Sequence, residues 1–395
     1  MSALEGTRVI DLSTGIAGGF CTKLLGDFGA DVIKVEPPGG GGLRDFGPFA
    51  DAVSAAETGA LHLYLDTSKR SITLDLGTPT GQELLARLLA AADAVVDDRP
   101  LGTLESEGFS ASRLSNDFPR LVVSYLSTYG QSGPWAQLPS TNLTAFAVGG
   151  QMATTGDPDR EPLKNGGSQA DYQLGLNGFT ATLAGLWAAS DSGTGDAIDV
   201  AGMECMASTL ELMLNTYAYA HIDYWNGRKG NVLSGVLGLY PCENGYLGVH
   251  AMPRNFPALA RLMDADWMLE DERFRDAAGR LAHDDELRAM VYAWASGQEK
   301  HAAYERAGQA HAPVAYVHEM SDLFQSPQLT ARDYLQELNH PVAGELTYPG
   351  PLFRMADTPS SLRRAPLLGE HTGEVLAELG LQPHDIEVLR GTGVV

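Results

Sequence analysis

The sequence predicts an α/β protein: a doubly wound, Rossmann-like large domain joined to a smaller α+β domain. Three observations carry this. In the first 130 residues, five Val/Ile/Leu-rich runs alternate with helix-like segments, as strands buried on both faces of a parallel sheet do. After Ser190 the alternation gives way to a turn, a short strand and a Met- and Leu-rich segment. At 395 residues the chain is also long for a single core.

The strand-like runs are 8–12, 31–36, 71–76, 94–97 and 121–126. The clearest helix is GTPTGQELLARLLAAAD, with Thr78 as N-cap, Pro79 at the first helical position, and Leu84, Leu85, Leu88 and Leu89 on one face. Alternation of this kind implies right-handed crossovers. The first turn, Ser13-Thr14-Gly15-Ile16-Ala17-Gly18-Gly19, does not fit G-x-G-x-x-G. That argues against a dinucleotide-dependent dehydrogenase and leaves a phosphate-bearing ligand open at that turn. Further on, residues 203–219 read as one long helix. LGLYPC and YLGVHA, around Glu243-Asn244-Gly245, read as a hairpin. Several helices follow in 255–310, 284–294 among them. Residues 340–355 read as irregular β structure, and the C-terminus as helix-turn-helix with Gly380 as a C-cap.

Composition excludes several classes. A formal net charge of -23 argues against nucleic acid or an anionic membrane as the main partner. Cys21, Cys205 and Cys242 are odd in number and widely spaced, which fits free buried thiols rather than a disulfide framework or a metal site. None of the ten histidines stands at metal-ligand spacing, and no serine sits in G-x-S-x-G. No metal is expected. The N-terminus lacks a signal pattern, and the apolar stretch 174–189 is too short and glycine-rich to favour a membrane span. A soluble, cytoplasmic protein is expected.

The stretch from Gly149 to Ala189 concentrates the chemistry. A glycine-rich loop delivers one acid, Asp171, to the start of a small-residue apolar helix in which Asn177 is the only strongly polar side chain between Leu174 and Ala189. An acid there faces the positive end of the helix dipole, which favours its ionised form. It serves either as a plain N-terminal helix acid or as a carboxylate nucleophile.

The same stretch resembles the active-site segment of the class III CoA-transferases (CaiB/BaiF type), the family of formyl-CoA transferase, carnitine CoA-transferase and α-methylacyl-CoA racemase. Other blocks match in order: VIDLSTGIAGGFCTKLLGDFGADVIKVEPP, SKRSITLDL, ADAVVDDRPLGTLESEGF, FPRLVVSYLSTYGQSGP and APLLGEHTGEVLAELG. Together they span nearly the whole chain. The resemblance implies transfer of CoA between an acyl-CoA and a carboxylic acid, with CoA as substrate and product and no other cofactor. It also implies a homodimer of interlocked chains. The domains then fall as 1–205 (large, CoA-binding), 206–228 (linker helix), 229–320 (small), and 321–395 (linker and return to the large domain).

By the same resemblance Asp171 is the covalent nucleophile, passing through a mixed anhydride and an aspartyl-CoA thioester. Gly149, Gly150, Gly166 and Gly167 are candidate oxyanion donors through their backbone N–H groups. Gly15, Ile16, Ala17 and Gly18 fall at the turn that contacts CoA, although any tight strand-helix turn needs such residues. Arg44, Lys69 and Arg70 are candidate phosphate partners, the alternative being solvated surface cations. Asp98 and Arg99 lie at a CoA-contacting block but depart from its Glu-Asn-Phe/Tyr-Arg-Pro-Gly pattern. Asp98 replaces an amide there, the arginine is displaced by one residue, and a further family arginine aligns with Ser106. A racemase relative and a non-catalytic acyl-CoA-binding protein are the rival functions. Racemisation needs two acid-base groups flanking the α-carbon, and the aligned positions hold Thr141 and Pro253, neither able to exchange a proton at neutral pH.

Overall fold

The computed structural model describes residues 2–49, 56–156, 159–221 and 236–395. Two compact units emerge. The first comprises Met1–Thr155, Pro162–His221 and Arg332–Val395; the second comprises Gly156–Glu161 and Ile222–Ala331.

The first unit opens with β1 (Arg8–Asp11), α1 (Ile16–Asp27), β2 (Asp31–Glu36), α2 (Ala60–Leu65), β3 (Arg70–Thr73), α3 (Pro79–Ala90) and β4 (Ala94–Asp97). It continues with α4 (Thr103–Ser106), α5 (Ala111–Asp117), β5 (Val122–Ser127), α6 (Asn142–Val148), α7 (Gln169–Ser192), β6 (Ala197–Ala201), α8 (Gly202–Ser208) and α9 (Glu211–Ala220). The six strands form one parallel sheet in the order β3-β2-β1-β4-β5-β6. The strand order reverses between β1 and β4, and in such sheets ligands bind beyond the carboxyl ends of the strands at that switch point. Successive residues feed opposite faces. Val9, Val32, Val96 and Val122 pack beneath α1 and α7, while Ile10, Ile33, Val95 and Val123 pack against the leucines of α3 and the C-terminal helices. Thr78 caps α3 as expected, its hydroxyl accepting from the Gly81 N–H.

The second unit carries a three-stranded sheet of β7 (Val236–Cys242), β8 (Gly245–Ala251) and β9 (Val314–Tyr316). Its helices are α10 (Phe256–Leu262), α11 (Ala277–Ala282), α12 (Asp284–Ser296), α13 (Lys300–Ala310), α14 (Met320–Phe324) and α15 (Pro327–Ala331). The chain then returns to the first unit through β10 (Leu335–His340), β11 (Gly344–Pro349), α16 (Thr372–Glu378) and α17 (Pro383–Gly391).

Four local expectations are corrected. The long helix over 203–219 is two helices, because Thr209 hydrogen-bonds back to the Met206 carbonyl and the turn tightens there. The β7–β8 loop is Glu243-Asn244 alone, since Gly245 already pairs with Cys242. Residues 335–349 form a regular antiparallel hairpin of six paired positions. Of the three free cysteines, Cys242 is only half-buried. Within the expected 206–228 linker, α8 and α9 belong to the first unit; 222–228, and 229–235 of the expected small domain, lie outside the described residues. No described helix is long and apolar enough to cross a membrane.

Candidate active site

The site is assembled at the carboxyl ends of β1 and β4. Gly15, the N-cap of α1, has no side chain to cap the helix. Asp98, just beyond β4, supplies the missing acceptor from across the switch point. Its carboxylate accepts from the N–H groups of Thr14 (2.8 Å), Gly15 (3.1 Å) and Gly18 (2.9 Å). Gly18 is required by this approach, because a Cβ there would lie 2.3 Å from Ser13 Cβ and 2.9 Å from Asp98 Oδ2. Burial pushes the Asp98 carboxyl above its usual range; the Thr14 and Gly18 N–H groups oppose that, and Asp11 and Asp97 add to it.

α7 packs on α1, with Gly175 so close that a Cβ would sit 2.5 Å from the Ala17 carbonyl oxygen. One turn earlier, Asp171 is the acid of the first turn of α7 and is half-buried. Asn142, the first residue of α6, donates from Nδ2 to Asp171 Oδ2 at 3.1 Å. A Thr141–Thr144 capping box fixes that helix start. Burial pushes the Asp171 carboxyl above its ordinary value. The Asn142 bond opposes this, the Asp98 charge reinforces it, and the Lys164 charge opposes it. The helix N-terminus therefore does not by itself hold Asp171 down, contrary to the simple dipole expectation. An acid that is desolvated yet reachable is more basic, hence a better nucleophile once ionised.

The other sequence-predicted residues divide sharply. Gly149 and Gly150 close α6, while Gly166 and Gly167 are exposed in the loop before α7. Ile16 and Ala17 form the first helical positions of α1. The expected phosphate cations are instead matched inside the protein. Lys69 is fully buried and donates to Asp11 (2.8 Å) and Asp66 (2.9 Å). Arg44 is equally buried between Glu36 (2.7 Å) and Glu57 (2.9 Å). Arg70 pairs with Asp31, Glu374 and Glu378, and Arg99 with Asp97 and Glu107. Neither Lys69 nor Arg44 is a solvated surface cation or a free phosphate donor, and the Gly15 and Gly18 N–H groups already serve Asp98. Asp97 and Arg99 instead line a cavity of about 480 Å³ with Glu105, Tyr125, Gln131 and Asp199.

Glu57, His62 and His340 bring one donor atom each within 4.8 Å of one another. They do not suit a cation. The Arg44 guanidinium lies 3.0 Å from His62 Nε2, and His340 Nδ1 accepts two backbone N–H groups, which leaves its proton on Nε2. Sequence reasoning missed Asn142 as the partner of Asp171 and Lys164 as the nearby cation. Both stand within or next to the glycine-rich stretch, but no spacing rule links them to Asp171.

A doubly wound sheet with Asp98 clamped at the switch point defines an α/β protein whose ligands bind at the carboxyl ends of its strands. The comparisons narrow this. The model of CoA-transferase family III matches residues 4–372. The succinyl-CoA–L-malate CoA-transferase beta subunit of Chloroflexus aurantiacus is 33% identical, the alignment covering 99% of this chain and 98% of that one. The formyl-CoA:oxalate CoA-transferase of Streptomyces avermitilis is 28% identical, covering 100% and 99%. Among solved structures, a CAIB/BAIF family protein from Brucella suis superposes with a TM-score of 0.85 at 28% identity, covering 96% of this chain and 99% of that one. The chain belongs to CoA-transferase family III and is a CoA-transferase.

Proposed function

We propose that the protein moves CoA from an acyl-CoA to a free carboxylic acid with Asp171 as covalent nucleophile. The observation that carries this is the setting of Asp171: a half-buried first-turn acid that, among the described residues, accepts one side-chain hydrogen bond, from the Asn142 amide, and pairs with no cation. Its carboxylate attacks the thioester carbonyl, expelling CoA thiolate and forming a mixed anhydride. The thiolate then attacks the aspartyl carbonyl, releasing the donor acid and leaving an aspartyl-CoA thioester. An acceptor carboxylate reverses both steps. The Gly149 and Gly150 N–H groups already donate to the Ala145 and Ala147 carbonyls, so the N–H groups of Gly166 and Gly167, in the exposed loop before α7, supply the oxyanion donors.

The acids in the names of the two relatives, L-malate and oxalate, are dicarboxylic, so succinyl-CoA and formyl-CoA against small dicarboxylates are the first pairs for a turnover screen. Asp171→Asn keeps the Asn142 contact geometry and removes the nucleophile. Transfer should fall at least about 10³-fold, with acyl-CoA binding within about tenfold, roughly 1.4 kcal/mol. Mass spectrometry of the wild type mixed with donor alone should show an adduct on Asp171; an Asn variant with normal turnover removes the covalent mechanism. No α-proton exchange of a 2-methylacyl-CoA in deuterated water is expected, because Thr141 carries no exchangeable base.

A homodimer fits the same family. Trp187 on α7 and Tyr219 on α9 are 80% and 85% exposed, with Leu214 and Tyr217 also exposed on α9. Light scattering should give twice the chain mass of 42.1 kDa; a stable, active monomer overturns the dimer.

A further inference from the structure

Many cations in the first unit pair with carboxylates, and Lys164 is one of those that do not. It lies in the loop leading into α7, where its Nζ donates to the carbonyls of Asn165 (2.8 Å) and Gly167 (2.7 Å). Among the described residues it makes no ion pair. Of the three N–H donors an ammonium carries, one is left uncommitted. Its place on the Gly167 carbonyl sets the ammonium at the start of α7, whose first turn carries Asp171, and its charge acts on that acid against the negative field of Asp98.

The chemistry gives such a charge a task. An acid that accepts CoA arrives as an anion, into a crevice holding Asp98 and Asp171 on a chain of net charge -23. Like charges there slow its approach and weaken its binding. While Asp171 is ionised, it partly balances Lys164. Once Asp171 has become a neutral thioester, that balance is gone. The free acid then restores the missing negative charge at the moment it is needed for attack.

We propose that Lys164 receives the carboxylate of the free acid, both the departing donor acid and the incoming acceptor, and so sets affinity for the acid rather than for the acyl-CoA. This rests on Asp171 being the nucleophile. In the step it serves, an acid oxygen attacks the aspartyl-CoA carbonyl and the C–S bond breaks with CoA leaving as thiolate. The thiolate then takes the acid's acyl carbon, and Asp171 returns as a carboxylate. Lys164 keeps its proton throughout. A point charge on a flexible stem suits a carboxylate that must come and go, where a bidentate arginine fork would hold it.

The test is exchange of an isotope-labelled carboxylate into its own CoA ester, using the full-length protein and the acyl-CoA the screen selects. Lys164→Gln should raise the apparent KM for the free acid about tenfold or more. Its KM for the acyl-CoA, and adduct formation on Asp171 with donor alone, should stay at the wild-type level. Lys164→Arg should recover most of the lost acid affinity. Added salt should raise the wild-type KM for the acid and leave that of the Gln variant nearly flat. An unchanged KM for the acid in Lys164→Gln overturns the proposal. Equal loss of adduct formation also overturns it, because Lys164 would then only hold the loop. A wild type that forms no adduct with any acyl-CoA is a different failure, that of Asp171 as nucleophile.

Discussion

Two groups of acids sit a short way apart in the first unit and are built on opposite plans. Beneath the first turn, Asp11 accepts from the Ser13 N–H and hydroxyl, from Thr22 and from Lys69, with Lys34 at 3.8 Å. Asp66 is held by Lys69, by Lys34 at 3.5 Å and by His62 at 2.8 Å. Though burial opposes it, the lysine charges hold both acids below the ordinary carboxylate range. Among the described residues Asp171 accepts one side-chain hydrogen bond, from the neutral Asn142 amide, and its carboxyl moves the other way. Saturated acids are scaffold, and an under-supported, reachable acid is where charge remains available for chemistry.

The largest expected effect makes one substitution at both places. Asp66→Asn leaves Lys34 and Lys69 facing an amide in the interior, and breaking a buried ionic set costs about 3–5 kcal/mol. Asp171→Asn removes a charge that folding desolvates, so stability should hold or rise slightly. Urea unfolding at neutral pH measures both, and equal losses would dissolve the contrast. The pH dependences have opposite signs. The folded-state pKa of Asp66 is depressed, so its stabilisation is present above the unfolded value, about 3.9, and is lost as pH falls through the lower folded value. That of Asp171 is raised, so its ionisation costs stability above the folded value and the cost vanishes below about 3.9. Any gain in Asp171→Asn should therefore disappear in acid.

A middle-sized effect concerns the one bond that Asp171 does make. The Asn142 amide favours the ionised carboxylate, so Asn142→Leu should raise the Asp171 pKa further and move the acidic limb of the pH–rate profile upward. Removing a hydrogen bond to a charged group costs about 1.5–3 kcal/mol, so kcat/KM should fall about tenfold or more at neutral pH. An unmoved acidic limb would show that the bond positions nothing in the reacting state.

How much of this was legible beforehand follows the same division. The strands were readable because Val/Ile/Leu runs such as 31–36 and 94–97 feed both faces of one sheet, and their bounds match the structure at those two. Thr78-Pro79 carried its own start signal. Residue type and spacing also pointed to Asp171 as the first-turn acid of a small-residue helix. Burial was not readable. Lys69, Arg70 and Arg44 look in one dimension like phosphate cations, and only the packing of β1, β2, the segment around α2 and α16 puts carboxylates around them. The Asn142–Asp171 contact spans 29 positions, and Asp98 reaches 80 positions back to Gly18; no local rule brings either pair together.

The smallest effect tests what Asp98 does at the border between the two regions. It belongs to the scaffold by its three N–H contacts and to the site by its charge, which acts on Asp171. Asp98→Asn keeps an oxygen for Thr14 and Gly15, but turns an NH₂ toward the Gly18 N–H, costing about 1 kcal/mol of stability. The same change removes one negative charge from the turn proposed to receive the polyanionic CoA. In the dielectric of bulk water a charge contact at about 4 Å is worth about 1 kcal/mol, so CoA should bind about fivefold more tightly by calorimetry at low salt. The gain should shrink as ionic strength brings the Debye length below about 10 Å. Loss of the charge should also lower the Asp171 pKa, since Asp98 helps to raise it, and the acidic limb should move downward. Unchanged CoA affinity together with an unmoved limb would make Asp98 a helix clamp only, and would return it wholly to the scaffold.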